Sequence, residues 1–186
     1  MSIRERWVSL LYRAATGTKK TRTLLTPIGV VVFGLFTALF VFLAVLLDGA
    51  LALRWPIPIT VSELVSVPMM AIGIGITVWS VFHFVKVNGT PVHFNPPPVL
   101  VDSGPYRYAR NPMLTGVFLL LFGIGFAIKS LSLVLIFTPL YVLANFWELR
   151  EIEEPELLRR LGKDYLAYRE RTPMFIPSIR DKSDPK

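Results

Sequence analysis

The sequence predicts an all-α integral membrane protein with about four transmembrane helices, of which the third and fourth form a tight hairpin. Two observations lead to this fold class. Of the 186 residues, 53% are hydrophobic and only 18% are charged, a composition that a soluble domain of this size could hardly accommodate. The apolar residues also fall in long blocks, and the basic residues flank them. We therefore expect one membrane domain over residues 1–186.

Two apolar blocks are long enough to be single spans. Residues 27–53 contain one charge, Asp48, and residues 59–85 also contain one, Glu63. About 20 apolar residues suffice to cross the hydrocarbon core, and both charges are expected to lie near the outer ends and only to reach water. The third block, 113–147, is too long for one span and is interrupted by Lys129 and Ser130. It predicts the hairpin.

The charge distribution predicts the orientation of these spans. Six basic residues precede the first span and nine follow the last, whereas Arg54 and Lys129 stand alone in the two opposite connections. By the positive-inside rule, both termini and the loop 86–111 face the cytoplasm. Residues 1–23 predict either an amphipathic segment whose basic helix RERWVSLLYRAA lies on the inner membrane surface, with Trp7, Leu10 and Leu11 on one side, or a plain orienting flank.

The same composition limits the partners that we expect. The net charge is +7, but because the basic residues flank apolar spans, anionic lipid is a better partner for them than nucleic acid. The chain has no cysteine, which excludes disulfides, thiolate nucleophiles and cysteine-based metal sites. Two histidines, His83 and His93, are too few for a metal cage, and we interpret both as structural. No metal is expected.

Polar residues concentrate in the cytoplasmic loop, above all in GPYRYARNPM at residues 104–113. The proline run after Asn95 predicts a stiff, extended strap. The pair Asn111-Pro112 is typical of a helix start, with asparagine as the N-cap and proline in the first turn. The tyrosines, Tyr106 and Tyr108, could stack on an aromatic ligand or anchor the loop at the interface. The loop is thus either a rigid connector or a binding loop.

The tail after the last span is acidic at first. Four glutamates fall within the seven residues 148–154, and Pro155 predicts that the helix kinks or stops at Glu154. Gly162 is expected to end the next helix. Carboxylates at the C-terminal end of a helix oppose its dipole and repel an anionic leaflet. They indicate either a solvated face with weak pairing, as of Glu154 with Arg150, or a cationic or hydroxyl-bearing ligand.

Two segments together carry a family resemblance. GTPVHFNPPPVLVDSGPYRYARNPM, followed after an apolar stretch by EEPELLRRLGKDYLAYRERTPMFIP, resembles the isoprenylcysteine carboxyl methyltransferase-like family of membrane methyltransferases, which is related to the phospholipid methyltransferases. The resemblance covers residues 86–177. It implies a cytoplasmic pocket for S-adenosylmethionine and a lipid or lipid-linked acceptor that enters from the membrane.

The resemblance also implies which residues bind the cofactor, although it assigns no catalytic residue. The arginine-containing segment and the acidic pair match the family pattern, the closing helix contributes a tyrosine and an arginine, and Tyr106 joins them as a stacking partner. The candidate cofactor-binding residues are Tyr106, Arg107, Tyr108, Arg110, Asn111, Pro112, Met113, Glu153, Glu154, Tyr165 and Arg169.

One departure from the family pattern concerns the acceptor. Isoprenylcysteine enzymes have Arg-His-Pro where this chain has Arg110-Asn111-Pro112, and asparagine cannot titrate. A lipid amine suits a site with no histidine base, while a prenyl carboxylate or a lipid thiol stays open. The alternative function is a non-catalytic membrane module whose basic loop binds anionic headgroups. Gly73 and Gly75 are interpreted as helix packing or as the floor of the pocket.

Overall fold

The computed structural model describes residues 3–87, 89–90, 95–97 and 99–176, and all regular structure in these residues is helical. Two wider π turns, Leu133–Phe137 and Leu149–Glu153, continue into the helices that follow them, and a 3₁₀ turn, Gly104–Arg107, precedes α4. The predictions for His93 and for Pro98 of the strap lie outside the described residues. The helices are α1 Ile3–Ala15, α2 Lys19–Ala50, α3 Ile59–Lys86, α4 Pro112–Ala127, α5 Thr138–Glu148, α6 Glu154–Leu161 and α7 Lys163–Arg171.

Three helical stretches in the described part of the chain are long and apolar enough to cross a membrane. They are Thr23–Ala50, Ile59–Lys86 and Leu133–Leu161. The all-helical class is therefore confirmed, with three helices among the described residues that are long and apolar enough to span a membrane. Helix α4 is apolar but has only 16 residues, so the count of four spans stays a prediction.

The chain turns between α4 and the next helix at Lys129, which has a positive φ of 58°. The Ser130 amide donates to the Gly125 carbonyl, and a Cβ on Gly125 would lie 2.7 Å from the Val134 side chain. Further from the turn, the Phe118 and Tyr141 rings lie 6.1 Å apart. The two segments therefore pack side by side, and their embedding as a membrane hairpin stays a prediction.

Small residues allow α3 and α4 to approach closely. Ser66, Gly73 and Ser80 recur every seven residues on the buried side of α3. A Cβ on Gly73 would lie 2.6 Å from the Gly116 carbonyl oxygen of α4, and nothing lies within 4 Å of Gly75. Such contacts hold membrane helices together where no hydrophobic effect drives them. Gly73 therefore packs helices, and Gly75 points outward.

Polar contacts fasten α2 to the helix that runs beside it. The Thr37 and Tyr141 hydroxyls lie 2.8 Å apart, and Tyr141 is fully buried. Asp48 accepts hydrogen bonds from the Ser130 hydroxyl and, at 2.9 Å, from the Ser132 amide. The prediction that Asp48 only reaches water is therefore wrong. Its carboxylate instead satisfies an amide at the start of the next helix, where the helix dipole also favours it.

Of the two outcomes predicted at Glu154, a kink or a stop, the stop is wrong and the kink stays a prediction. The chain stays helical through Pro155 to Leu161, and the widened turn Leu149–Glu153 lies directly before the helix that contains the proline. Proline donates no hydrogen bond and crowds the carbonyl four residues earlier, and a widened turn leaves room for both effects. Pro139 follows the other widened turn in the same way. Gly162, with a φ of 60°, ends α6 as predicted.

Helix α1 packs against the acidic tail. The Arg4 Nε lies 3.2 Å from Glu151 Oε2, and the Arg159 guanidinium lies 4.3 Å from the centre of the Tyr12 ring. Trp7 and Leu10 stay more than half exposed. The predicted N-terminal helix is thus present, while its place on the membrane surface stays a prediction.

The close approach at Gly73 generates a test. Gly73→Ala is expected to lower the free energy of unfolding by about 1–3 kcal/mol, because the added methyl group meets backbone atoms of α4. Gly75→Ala is the matched control and should be neutral or slightly stabilising, since alanine favours helix and meets no atom there. Unfolding in detergent, followed by circular dichroism, measures both. Equal losses would contradict the packing role of Gly73.

Candidate functional site

The loop before α4 and the acidic tail meet at a buried ion pair. Arg110 Nη2 lies 2.5 Å from Glu154 Oε1, and both side chains are only 11% exposed. Through Nη1 the same guanidinium donates to the carbonyls of Arg169 at 2.9 Å and Thr172 at 3.1 Å. Arg169 Nη1 is also 3.9 Å from Glu154 Oε2. Arg110 therefore joins the start of α4 to α6 and to the end of α7.

Three buried tyrosines surround this ion pair. Tyr106 packs on Phe84 with ring centres 4.7 Å apart, and its carbonyl accepts a hydrogen bond from the Tyr168 hydroxyl at 2.7 Å. The Tyr165 and Tyr168 rings are 6.4 Å apart. Burial raises the pKa of all three hydroxyls well above the ordinary tyrosine value. The hydroxyls therefore stay protonated and can donate hydrogen bonds at neutral pH.

The segment after α7 holds the start of α4 in place. The Arg110 amide donates to the Pro173 carbonyl at 2.8 Å, and the Asn111 amide donates to the Met174 carbonyl at 3.0 Å. Asn111 directly precedes α4, and Pro112 is in its first turn, as predicted. However, the Asn111 side chain makes no capping hydrogen bond. The main-chain hydrogen bonds to Pro173 and Met174 hold this helix start, and the Asn111 side chain is not used for capping.

Two buried polar atoms of this cluster lack a hydrogen-bond partner within the described residues, the Tyr106 hydroxyl and Arg110 Nε. Ser80 donates its own hydrogen bond to the Ile76 carbonyl at 2.7 Å, but its oxygen lies beside the Tyr106 hydroxyl and can accept from it. Arg110 Nε is therefore the more isolated of the two atoms. An unsatisfied buried polar group costs about 1–3 kcal/mol. A bound molecule with oxygen acceptors would remove this cost, and because protein covers both atoms, a polar ligand such as S-adenosylmethionine reaches them only when the cluster opens.

The predicted residues divide into an inner and an outer group. Tyr106, Arg110, Glu154 and Tyr165 lie inside, with Glu153 near enough to affect Tyr106 and Tyr165 electrostatically. The outer group is more exposed, contributes through its main chain or, as with the buried Pro112, forms the start of α4. It comprises Arg107, Tyr108, Asn111, Pro112, Met113 and Arg169, of which Tyr108 is 42% exposed and Met113 accepts a 3.4 Å hydrogen bond from Thr77.

One contact of the strap was missed by the sequence analysis. Arg160 Nε lies 2.9 Å from Glu156 Oε1, and Arg160 Nη1 donates to the Pro97 carbonyl, also at 2.9 Å. Both side chains are nearly buried, so α6 holds the strap through this pair. The spacing of four residues between Glu156 and Arg160 indicated the ion pair. Nothing in the sequence indicated Pro97, which is 63 residues away.

His83 has a structural role in this region, as predicted. Its Nδ1 is 2.9 Å from the Trp79 carbonyl, and Gly104 lies against the ring so closely that a Cβ could not fit. Gly104 also has a positive φ of 59°. The described residues contain no group of three His, Cys, Asp or Glu side chains that could hold a metal ion.

Comparison with known proteins identifies the family to which this chain belongs. The model of the phospholipid methyltransferase family matches residues 61–164, which is more than half of the chain. The chain belongs to the phospholipid methyltransferase family. The matched region contains the loop of Arg110 and the acidic segment of Glu154, so the family resemblance predicted from these segments is confirmed. Neither the curated proteins nor the solved structures give a significant match.

The burial of the ion pair generates a test of stability. Glu154→Gln removes one charge of a buried pair and leaves Arg110 uncompensated, so the free energy of unfolding should fall by about 3 kcal/mol. The matched control is Asp102→Asn, whose partner Arg171 forms an ion pair with both side chains about half exposed. Its loss should stay below about 1 kcal/mol. Thermal unfolding in detergent compares the two variants, and similar losses would show that the buried pair is not important for stability.

Proposed function

We propose that this protein transfers the methyl group of S-adenosylmethionine to a lipid or lipid-linked acceptor at the cytoplasmic face of the membrane. One observation carries the proposal. The loop and the acidic segment, distant in the sequence, form a single buried cluster around the Arg110–Glu154 ion pair. Membership of a methyltransferase family and three membrane-length helices support it.

The cofactor would be held by the unpartnered atoms of this cluster. Arg110 Nε and the Tyr106 hydroxyl can donate to oxygen atoms of the cofactor, and Glu153 suits its ammonium group. The side-chain amide of Asn111 can donate or accept a hydrogen bond beside them. Tyr108 at the outer edge can stack on the adenine, which Arg107 flanks. Pro112, Met113, Glu154, Tyr165 and Arg169 position these groups.

The buried tyrosines and Asn111 bind and orient, and they do not remove a proton. The buried tyrosine hydroxyls keep their protons at neutral pH, and Asn111 does not titrate. Bound S-adenosylmethionine supplies an electrophilic methyl group on a positively charged sulfur. Alignment in a site shielded from water then contributes most of the rate, by direct in-line displacement.

The acceptor must therefore arrive already nucleophilic. A neutral lipid amine attacks through its lone pair, the carbon–sulfur bond breaks as the carbon–nitrogen bond forms, and the proton on nitrogen leaves to water. We favour the amine over a prenyl carboxylate or a lipid thiol because the family acts on phospholipids. A module that only binds anionic headgroups is less compatible with Arg110, since both of its terminal nitrogens already contact protein oxygens.

The proposed membrane arrangement has four spans and both termini in the cytoplasm. The hairpin consists of α4 and the helical stretch Leu133–Leu161, which contains α5. Thr37 faces Tyr141 and Asp48 faces Ser130, so α2 and this last helix run antiparallel. Extending that register, we place Glu154 beside Leu24, where the apolar part of α2 begins. The site would then lie at the level of the lipid headgroups.

Transfer of a radiolabelled methyl group tests the activity. Purified protein in nanodiscs that contain phosphatidylethanolamine is expected to pass the label from S-adenosylmethionine to the lipid. Nanodiscs in which phosphatidylcholine replaces it are the control, since that lipid has no free amine. Membrane extracts incubated with radiolabelled S-adenosylmethionine extend the test to other acceptors. If no lipid or protein becomes labelled in the nanodiscs or in any extract, the result favours the headgroup-binding module.

Calorimetry with the non-reactive product S-adenosylhomocysteine tests the site. Asn111→Ala is expected to weaken binding about tenfold, the typical effect of losing one good hydrogen bond, with an unchanged unfolding temperature. Asp102→Asn, an exposed change in the same loop, should bind like the unaltered protein. Unchanged affinity in Asn111→Ala would remove Asn111 from the proposed pocket.

A further inference from the structure

A groove lies between α1 and α6. Its volume is about 290 Å³. Arg4 contacts Glu151 and Tyr12 contacts Arg159, and because both pairs have the same separation along the chain, the two helices run side by side in one direction. The lining residues are Arg4, Glu5, Val8, Ser9, Pro155 and Arg159.

The groove offers unused hydrogen-bond donors on two guanidinium groups, and its lining residues include two positive charges and one negative charge. Among the described residues, the hydrogen bonds and ion pair of Arg4 use only its Nε, and Arg159 uses only the face of its guanidinium. A stacked guanidinium keeps its in-plane N–H groups for an anion. Glu5 is the one lining carboxylate and has a partner of its own. Two guanidinium groups beside the Ser9 hydroxyl suit a phosphate.

The position of the groove along the helices indicates a lipid phosphate. The register of Thr37 with Tyr141 and of Asp48 with Ser130 places Glu151 level with Pro27, at the start of the apolar part of α2. Arg4, bonded to Glu151, is therefore at the level where headgroup phosphates lie. Trp7 and Leu10, exposed by 54% and 56%, lie about one and two turns beyond Arg4 along the same helix, on the cytoplasmic side of Arg4 in this arrangement.

We propose that the groove between α1 and α6 binds the phosphate of an anionic phospholipid, at a site separate from that of the methyl acceptor. The lipid holds α1 against the acidic segment. Because Arg4 also contacts Glu151, two residues before Glu153, the bound lipid steadies the turn Leu149–Glu153 that leads into the methyl-donor site. Binding of this lipid does not require the methyl donor.

Hydrogen exchange tests the site without any measurement of activity. The full chain is placed in nanodiscs of phosphatidylcholine or of an equal mixture with phosphatidylglycerol, and exchange is followed at residues 3–15 and 149–161. The anionic lipid is expected to slow exchange in both segments. In the double variant Arg4→Gln, Arg159→Gln, affinity for the lipid should fall roughly fivefold for each arginine lost. The protection should fall accordingly.

A matched double variant separates the groove from general charge attraction. Arg6→Gln, Arg13→Gln removes the same charge from exposed positions of α1 that do not line the groove, and it should keep most of the protection. Equal losses in the two double variants would overturn the proposal. So would equal exchange in the two lipid mixtures.

Soluble phosphate is the competing ligand. Glycerol phosphate added to phosphatidylcholine nanodiscs should not protect α1, and protection equal to that by phosphatidylglycerol would overturn the lipid assignment. If the double variant releases α1 even in phosphatidylcholine, Arg159→Gln alone carries the test, because it keeps the contact of Arg4 with Glu151. The methyl-transfer assay is separate, so failure here leaves the proposed activity standing.

Discussion

The buried ion pair between Arg110 and Glu154 is the constraint on which the candidate site depends. Neither side chain could stay 11% exposed without the other, because an isolated buried charge costs several kcal/mol. The guanidinium also satisfies the carbonyls of Arg169 and Thr172, where α7 ends. One residue thus fixes how three parts of the chain meet, and the buried tyrosines pack around the result.

The ion pair can form only if the start of α4 is held at a defined height. The close contact of Gly73 with Gly116 locks α4 against α3, and the hydrogen bonds of Asp48 fix the turn at its far end. Lipid tails are as apolar as the helices, so packing and polar contacts must supply this stability. The membrane part is therefore a scaffold for the cluster at its surface.

The sequence predicted what local chemistry determines. Long apolar blocks must be helical in lipid, since every backbone group needs an internal partner, and Asn111-Pro112 and Gly162 marked a helix start and end. Contacts between residues that are distant in the sequence produce no periodic pattern in it. The contact of Asp48 with Ser130, 82 residues away, was therefore missed. At Pro155 the helix does not stop, because the widened turn Leu149–Glu153 leaves room for the proline ring. Of the site, the family resemblance implied that the arginine-containing loop and the acidic pair bind one cofactor, and therefore that they lie close together.

The acidic segment lies inside a helix that continues to Leu161, so its carboxylates do not meet the negative end of the helix dipole. The tertiary structure also gives this region cationic partners from three places: Arg110 for Glu154, Arg4 for Glu151 and Arg160 for the neighbouring Glu156. The glutamates are thus attachment points for the loop, for α1 and, through Arg160, for the strap. A cationic ligand is not needed to account for them. The argument for a bound cofactor therefore depends on the family and on the two unpartnered atoms, the Tyr106 hydroxyl and Arg110 Nε.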